Sequence, residues 1–402
     1  FKQKTAYEIG VRLVGSEMCI RDRSMTSRKL AIEILAEAGD ELRVNPLLAS
    51  HLTTTGSSLS ERDRAFVTEL VQGATRMRRA VDHVLQPHLR RKLDSDVRAA
   101  LRIGAYQATF LGTPAHAVVN DTVEAAPRRS KSLVNAVLRR VVEEKPDWPD
   151  EATELSYPNW IWDLFQKTWG REGSSALIAM NTPERPAPRT DGYIQGRASR
   201  WVADAVNDPR FSGGVLVDLC AAPGGKTTAS GSKWTTVCAN EVNPSRALTL
   251  KSTIDRYSPS TNVIISDGRR SPFRSGSVDG VLVDAPCSGL GALGRRSDAR
   301  WQIDGGAVSR LGNVQKALLS EAHRLLRTGG VLTYSVCTVT HEETVAVAEH
   351  FSEHHDDMES VTVSGDYWRQ HGRGVIVLPQ DYGTDGMAVF LSLIHISEPT
   401  RR

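Results

Sequence analysis

The sequence predicts an all-α first domain followed by an α/β domain built on a doubly wound, mostly parallel sheet. Three observations carry this. Apolar residues in the first third recur at helical spacing. Two proline-bearing stretches, Lys145-Pro-Asp-Trp-Pro-Asp150 and 182–189, punctuate the chain. Beyond the second, short β-rich apolar runs alternate with helical stretches.

The elements follow in order. The two ends, 1–25 and 392–402, read as a non-native leader and tail: 1–24 and SLIHISEPTRR resemble translated sequencing-adapter sequence, and Met25 follows the first segment as a start would. From 26 to 145 the pattern is helical. Phe66, Leu70, Met77, Val81 and Leu85 form one apolar stripe; Val97, Leu101 and Ala108 a second; Leu133, Val134, Val137, Leu138 and Val141 a third. Asp63 and Asp94 are placed to begin two of these helices. After the first proline pair comes a short aromatic helical segment with Trp160, Trp162, Phe165 and Trp169, and then the stiff stretch 182–189. Strands are expected at 215–219, 236–239, 263–265, 278–283 and 331–334, with 387–391 as a closing edge strand.

Composition narrows the function. The chain has 402 residues, 24% of them charged, and a net charge of +3, too small to specify a nucleic-acid partner. Its basic residues are clustered, however: Arg76, Arg78 and Arg79; Arg90, Arg91 and Lys92; Arg128, Arg129 and Lys131; Arg139 and Arg140. Such groups suit phosphate contacts, although each also fits a solvated helix face. The five cysteines form no CxxC and no paired framework, so no metal is expected, and a sparse odd set fits a reducing, cytoplasmic location. No apolar run is long enough to cross a membrane.

The chemistry sits at the predicted strand ends. Asp218-Leu-Cys-Ala-Ala-Pro-Gly-Gly-Lys-Thr227 closes one strand, turns, and opens a helix whose free N–H groups and glycines suit close approach of a ligand. It is not a P-loop, because Cys220 stands where the first glycine is needed, and no G-x-G-x-x-G follows. Glu241 ends the second strand, where an acid accepts from ribose hydroxyls, and Asp267 follows the third, where it can accept from an adenine amino group. Asp284-Ala-Pro-Cys287 ends the fourth strand and Cys337 the fifth. A lone buried cysteine is ordinarily inert, but two at neighbouring strand ends flanking an acid point to chemistry.

DLCAAPGGKTT (218–228), DAPCSGLG (284–291) and YSVCT (334–338) resemble the signatures of Sun-type, or RsmB-type, RNA cytosine-C5 methyltransferases. Residues 114–120 and 133–140 resemble the NusB-like RNA-binding domain found in members that act on small-subunit rRNA. The resemblance implies a NusB-like helical domain over 26–145, a linker and shortened RNA-facing lobe over 146–194, and a Rossmann-like class I methyltransferase domain over 195–391. It implies S-adenosylmethionine as cofactor and RNA as partner, with 16S rRNA first and tRNA as the alternative, in a monomer with no membrane attachment. Cys220, Ala221, Ala222, Pro223, Gly224, Gly225 and Lys226 would cradle the methionine part of the cofactor, Glu241 the ribose and Asp267 the adenine. Asp284 would contact cofactor and target base, Cys337 would be the nucleophile, and Cys287 would assist product release. The thiolate would add at cytosine C6, making C5 able to attack a methyl group, on a base taken out of its stack. Two departures stand out: the stretch between Arg189 and Gln195 is much shorter than is usual in that family, and Gly196 replaces an acid. The rival reading is a catalytically silent RNA-binding assembly factor.

Overall fold

The computed structural model describes residues 21–39, 44–90 and 92–395. The expected leader lies outside them except for 21–25, and of the expected tail only 392–395 is described. The chain forms two compact units, one of residues 1–162 with Arg296–Gln302, the other of 163–295 with 303–402.

The first unit is helical, as expected: α1 (Arg21–Ala38), α2 (Val44–Thr53), α3 (Glu61–Arg76), α4 (Arg78–Leu85), α5 (Ser95–Thr109), α6 (Ala115–Ala125) and α7 (Lys131–Glu143). Leu70, Val81, Leu101, Val134 and Leu138 are fully buried in one core, each stabilising by about 1.5–3 kcal/mol. The stripe from Phe66 to Leu85 belongs to two helices rather than one, broken at Met77. The backbone N–H groups of Arg79 and Ala80, at the start of α4, donate to Ser156 Oγ at 2.9 and 3.4 Å, a cap from a distant residue that periodicity cannot announce. Asp63 sits in the first turn of α3, where it accepts from the Ser60 hydroxyl at 2.6 Å while Ser60 Oγ caps the Asp63 N–H.

The second unit holds one nine-stranded sheet: β1 (Val215–Asp218), β2 (Thr236–Glu241), β3 (Asn262–Ile265), β4 (Val278–Asp284), β5 (Leu326–Val336), β6 (Met358–Val361), β7 (Arg369–His371), β8 (Gly374–Val377) and β9 (Met387–Ile394). The order is β3-β2-β1-β4-β5-β9-β8-β7, with β6 also on β9. The first five strands are mutually parallel and the last four antiparallel to their neighbours. Every strand read from the sequence is present. The expected closing edge is corrected: β9 is interior, with β5 on one side and β8 and β6 on the other. Its Met387, Ala388, Val389, Phe390 and Leu391 are all buried, and an unbroken apolar run marks a strand covered on both faces.

Candidate active site

Strand order reverses between β1 and β4, and a doubly wound sheet receives ligands outside the carboxyl ends at that point. Asp218 ends β1 and is buried. Its Oδ2 accepts from Thr227 Oγ1 at 2.6 Å and its Oδ1 from the Cys220 N–H at 3.2 Å, so one carboxylate pins both ends of the glycine-rich turn. Burial pushes that carboxyl up to about 7. Gly224 has φ +104°, a backbone conformation that calls for glycine, and a Cβ there would also press at 3.1 Å on the Leu250 and Thr253 side chains. The Ala222 carbonyl accepts from Arg246 at 2.8 Å. Ala221 and Ala222 are buried, and burial pushes the Cys220 thiol well up, so it is no nucleophile. Glu241, buried at the end of β2, accepts from the Asn243 N–H at 2.9 Å and lies 3.5 Å from Arg246. Asp267 follows β3 on the same edge. Arg269 grips it from its own turn, at 2.7 Å between Nη2 and Oδ2, and holds its carboxyl below the usual range.

The two cysteines meet. Cys287 Sγ and Cys337 Sγ are 3.3 Å apart, both half-buried. Asp284 ends β4 beside them, its Oδ2 accepting from Lys226 Nζ at 2.7 Å and its Oδ1 from Ser335 Oγ at 2.9 Å. The hydrogen bond to Cys337 raises the Cys287 thiol well above its ordinary value, and burial raises it further. Cys287 therefore keeps its proton and is placed to donate it toward the Cys337 sulfur.

Glu343 was not singled out in the sequence, yet it organises both cysteine loops. It is fully buried. Oε1 accepts from the Ser288 N–H at 2.8 Å and from Gln315 Nε2 at 3.1 Å; Oε2 accepts from Ser288 Oγ at 2.5 Å and Thr340 Oγ1 at 3.1 Å. Ser288 Oγ and Thr338 Oγ1 are 2.9 Å apart. One carboxylate thus joins the residue after Cys287 to the turn after Cys337. The adjacent Glu342 is exposed, and nothing in Thr-His-Glu-Glu tells the two acids apart.

The shortened stretch after Arg189 forms a tight turn, with the Arg189 N–H donating to the Tyr193 carbonyl at 2.8 Å. The Arg189 guanidinium donates to the Gly225 carbonyl at 3.0 Å, Thr228 Oγ1 at 3.1 Å and Gln195 Oε1 at 3.1 Å. This ties the turn to the glycine-rich loop, a role its proline-rich setting did not reveal. A Cβ at Gly196 would lie 2.8 Å from the Arg295 guanidinium, which pairs instead with Asp385.

In the helical unit the basic clusters divide. Arg76 is buried, and Arg79 donates to the Tyr157 carbonyl and to Asn159, both at 2.6 Å, so this first cluster is largely structural. Arg129 pairs with Asp94 and Asp96. An open groove of about 630 Å³ is lined by Arg78, Arg79, His83, Lys92, Arg98 and Arg102; Arg102 is paired with Asp82, and Arg79 lies 3.6 Å from Asp150.

Comparison with known proteins matches residues 208–393 to the family described as 16S rRNA methyltransferase RsmB/F, and 25–143 to the NusB family. Ribosomal RNA small subunit methyltransferase B of Thermus thermophilus is 32% identical over 396 residues, spanning 90% of this chain and 96% of that protein. The protein of the same name from Sodalis glossinidius is 27% identical over 398 residues, spanning 82% and 90%. Among solved structures, that of PH0851 shares the fold at a TM-score of 0.74 and 19% identity, covering 92% of this chain and 98% of that one.

Proposed function

The chain belongs to the RsmB/F family of 16S rRNA methyltransferases, and from that premise we propose that it methylates C5 of a cytosine in small-subunit rRNA through a covalent adduct between Cys337 and C6. The observation that carries the reading is the pair of thiols 3.3 Å apart beside the Asp284–Lys226 contact.

The cofactor is S-adenosylmethionine, which when bound supplies an electrophilic methyl group. The residues present fit it. Gly224 leaves the turn backbone bare, and Glu241 and Asp284, at the ends of β2 and β4, place carboxylates beside a ligand that carries positive charge. The turn 220–226 holds its methionine part and Glu241 its ribose. Asp267 reaches the adenine from the β3 end; Arg269 holds both of its oxygens, and the side chain stays partly open to the crevice edge.

Cys337 attacks C6 as thiolate. Cys287, holding its proton, donates a hydrogen bond to the Cys337 sulfur and so favours the anion there. Asp284, fixed by Lys226 and Ser335, contacts the polar edge of the base, and protonation at N3 leaves C5 enamine-like. After methyl transfer, solvent water takes the C5 proton as the C6–S bond breaks. The electron pair returns to the Cys337 sulfur as thiolate, with Cys287 assisting that release by its hydrogen bond, and N3 gives its proton back to solvent.

Two variants test the scheme. Cys337→Ala abolishes transfer of labelled methyl to unmodified rRNA, whereas Cys287→Ala accumulates a denaturant-resistant protein–RNA band. The opposite pattern reverses the two roles, and turnover by both variants would end the covalent reading. The tight turn after Arg189 favours one rival, an rRNA-binding factor without turnover; the wild-type chain, binding rRNA yet transferring no methyl, would be that factor.

A further inference from the structure

At the end of the sheet opposite the cysteine pair, a second cluster of reactive side chains gathers. β5 runs from Leu326 to Val336, so His323, just before it, and Cys337, just after it, stand at opposite ends of the strand. His323 lies in the last turn of the helix Gly306–Leu325, His355 directly follows the helix Val345–His354, and Asp357 directly precedes β6. His323 Nε2 is 3.0 and 2.8 Å from the two Asp357 oxygens. The His323 and His355 rings are 4.1 Å apart, tilted by 32°. One ligand atom from each of the three residues lies within 4.8 Å of the others.

Three physical features single this cluster out from an ordinary surface pair. Its donors come from two segments distant in sequence, the end of the helix Gly306–Leu325 and the connection 355–357, so their convergence is a product of the fold. Two helix C-termini end here, and the negative end of each helix dipole favours a positive charge. Among the described residues, no hydrogen-bond partner is found for either ring nitrogen of half-buried His355. A neutral imidazole beside a second imidazole and a carboxylate is the donor set of zinc and cobalt, with a fourth position left for water. The cysteine-based expectation of no metal could not reach this set, because it contains no sulfur.

We propose that His323, His355 and Asp357 bind one divalent transition-metal ion that joins the ends of the two helices to the start of β6. This inference does not depend on the methyl-transfer reading, since the residues lie away from the cysteine edge. The competing location is His350, Glu353 and His354, a more exposed set on one helix face.

The test uses the full chain stripped with chelator and titrated with Zn²⁺ by calorimetry and with Co²⁺ by visible absorption. The expected result is one equivalent bound, with a tetrahedral cobalt spectrum, a metal-dependent rise in Tm, and loss of binding as the imidazoles protonate at lower pH. His323→Asn and Asp357→Asn weaken binding at least about tenfold, while His350→Asn leaves it unchanged. His355→Gln, which removes a ring with no hydrogen bond to lose, serves where another variant folds poorly by circular dichroism. Absence of binding, or binding lost in His350→Asn but kept in the His323, His355 and Asp357 variants, overturns the proposal.

Discussion

A carboxylate buried without a cation among its hydrogen-bond partners survives only if donors surround it, and Glu343 has four, two of them from Ser288. The backbone N–H of Ser288 and the amide N–H of Gln315 can only donate, so Oε1 must accept. In Glu343→Gln the shape is kept, but the new amide nitrogen makes the Ser288 and Thr340 hydroxyls accept instead of donate, so their protons lose this acceptor, at a cost of about 1–3 kcal/mol for each group left unsatisfied. Methyl transfer is expected to fall by about 5- to 150-fold, the range that energy implies, with rRNA affinity unchanged. Glu343 also helps raise the Cys287 thiol, so the pH profile of thiol alkylation moves to lower pH in the variant. A residue that merely fills space leaves that profile where it was, and an unmoved profile with unimpaired transfer refutes the positioning role. The sequence announced the residues proposed to react, because Cys287, Asp284 and Cys337 stand at strand ends in recognisable strings. It did not announce Glu343 or Arg189, whose importance arises from what folds against them.

Between residue and fold lie the junctions of elements, and one of them controls the distance between the sulfurs. The Gly291 N–H donates to the Cys337 carbonyl at 3.0 Å, and the Gly386 N–H donates to the Gly291 carbonyl at 2.8 Å. The loop after Cys287, the end of β5 and the approach to β9 are thereby joined through backbone alone. A Cβ on Gly291 would sit 2.3 Å from the Gly386 carbonyl oxygen and 3.1 Å from that of Cys337, and neither can swing aside as a side chain would. Gly291→Ala is therefore expected to separate the cysteines and remove transfer, with Tm lowered by several degrees, since an overpacked site costs about 1–3 kcal/mol. The check is transfer together with trapping in a Cys287→Ala background; trapping at the unaltered rate would show that the junction does not set the geometry. Elements were legible where apolar residues ran together, as in β1, β4, β5 and β9. Met358-Glu-Ser-Val361 and Arg369-Gln-His371 have no such run, and they become β6 and β7 only because β9 and β8 offer partners.

Over the whole molecule, the division into a helical and an α/β part was legible from the change of period, yet Arg296–Gln302 belongs to the helical unit. There Arg300 is fully buried, donates to the carbonyls of Arg76 and Ser156, and lies 4.0 Å over the Tyr157 ring; an arginine in the interior contradicts the usual surface reading of its type. The same lesson applies to the basic clusters. Counting Arg and Lys along the chain treats all as equal, whereas the fold spends Arg76 and Arg79 on structure and neutralises Arg129 with Asp94 and Asp96. Lys92 remains exposed on the rim of the open groove. If that groove carries the phosphate contacts, Lys92→Gln weakens rRNA binding and reduces the slope of log affinity against log salt by about one, while transfer at saturating rRNA is unchanged. Arg129→Gln leaves the slope nearly as it was, because the charge removed is already balanced by two acids. Binding measured across a salt series decides between them. Equal slopes for both variants would mean that RNA tracks some other face, and that the clusters read from the sequence marked helix surfaces only.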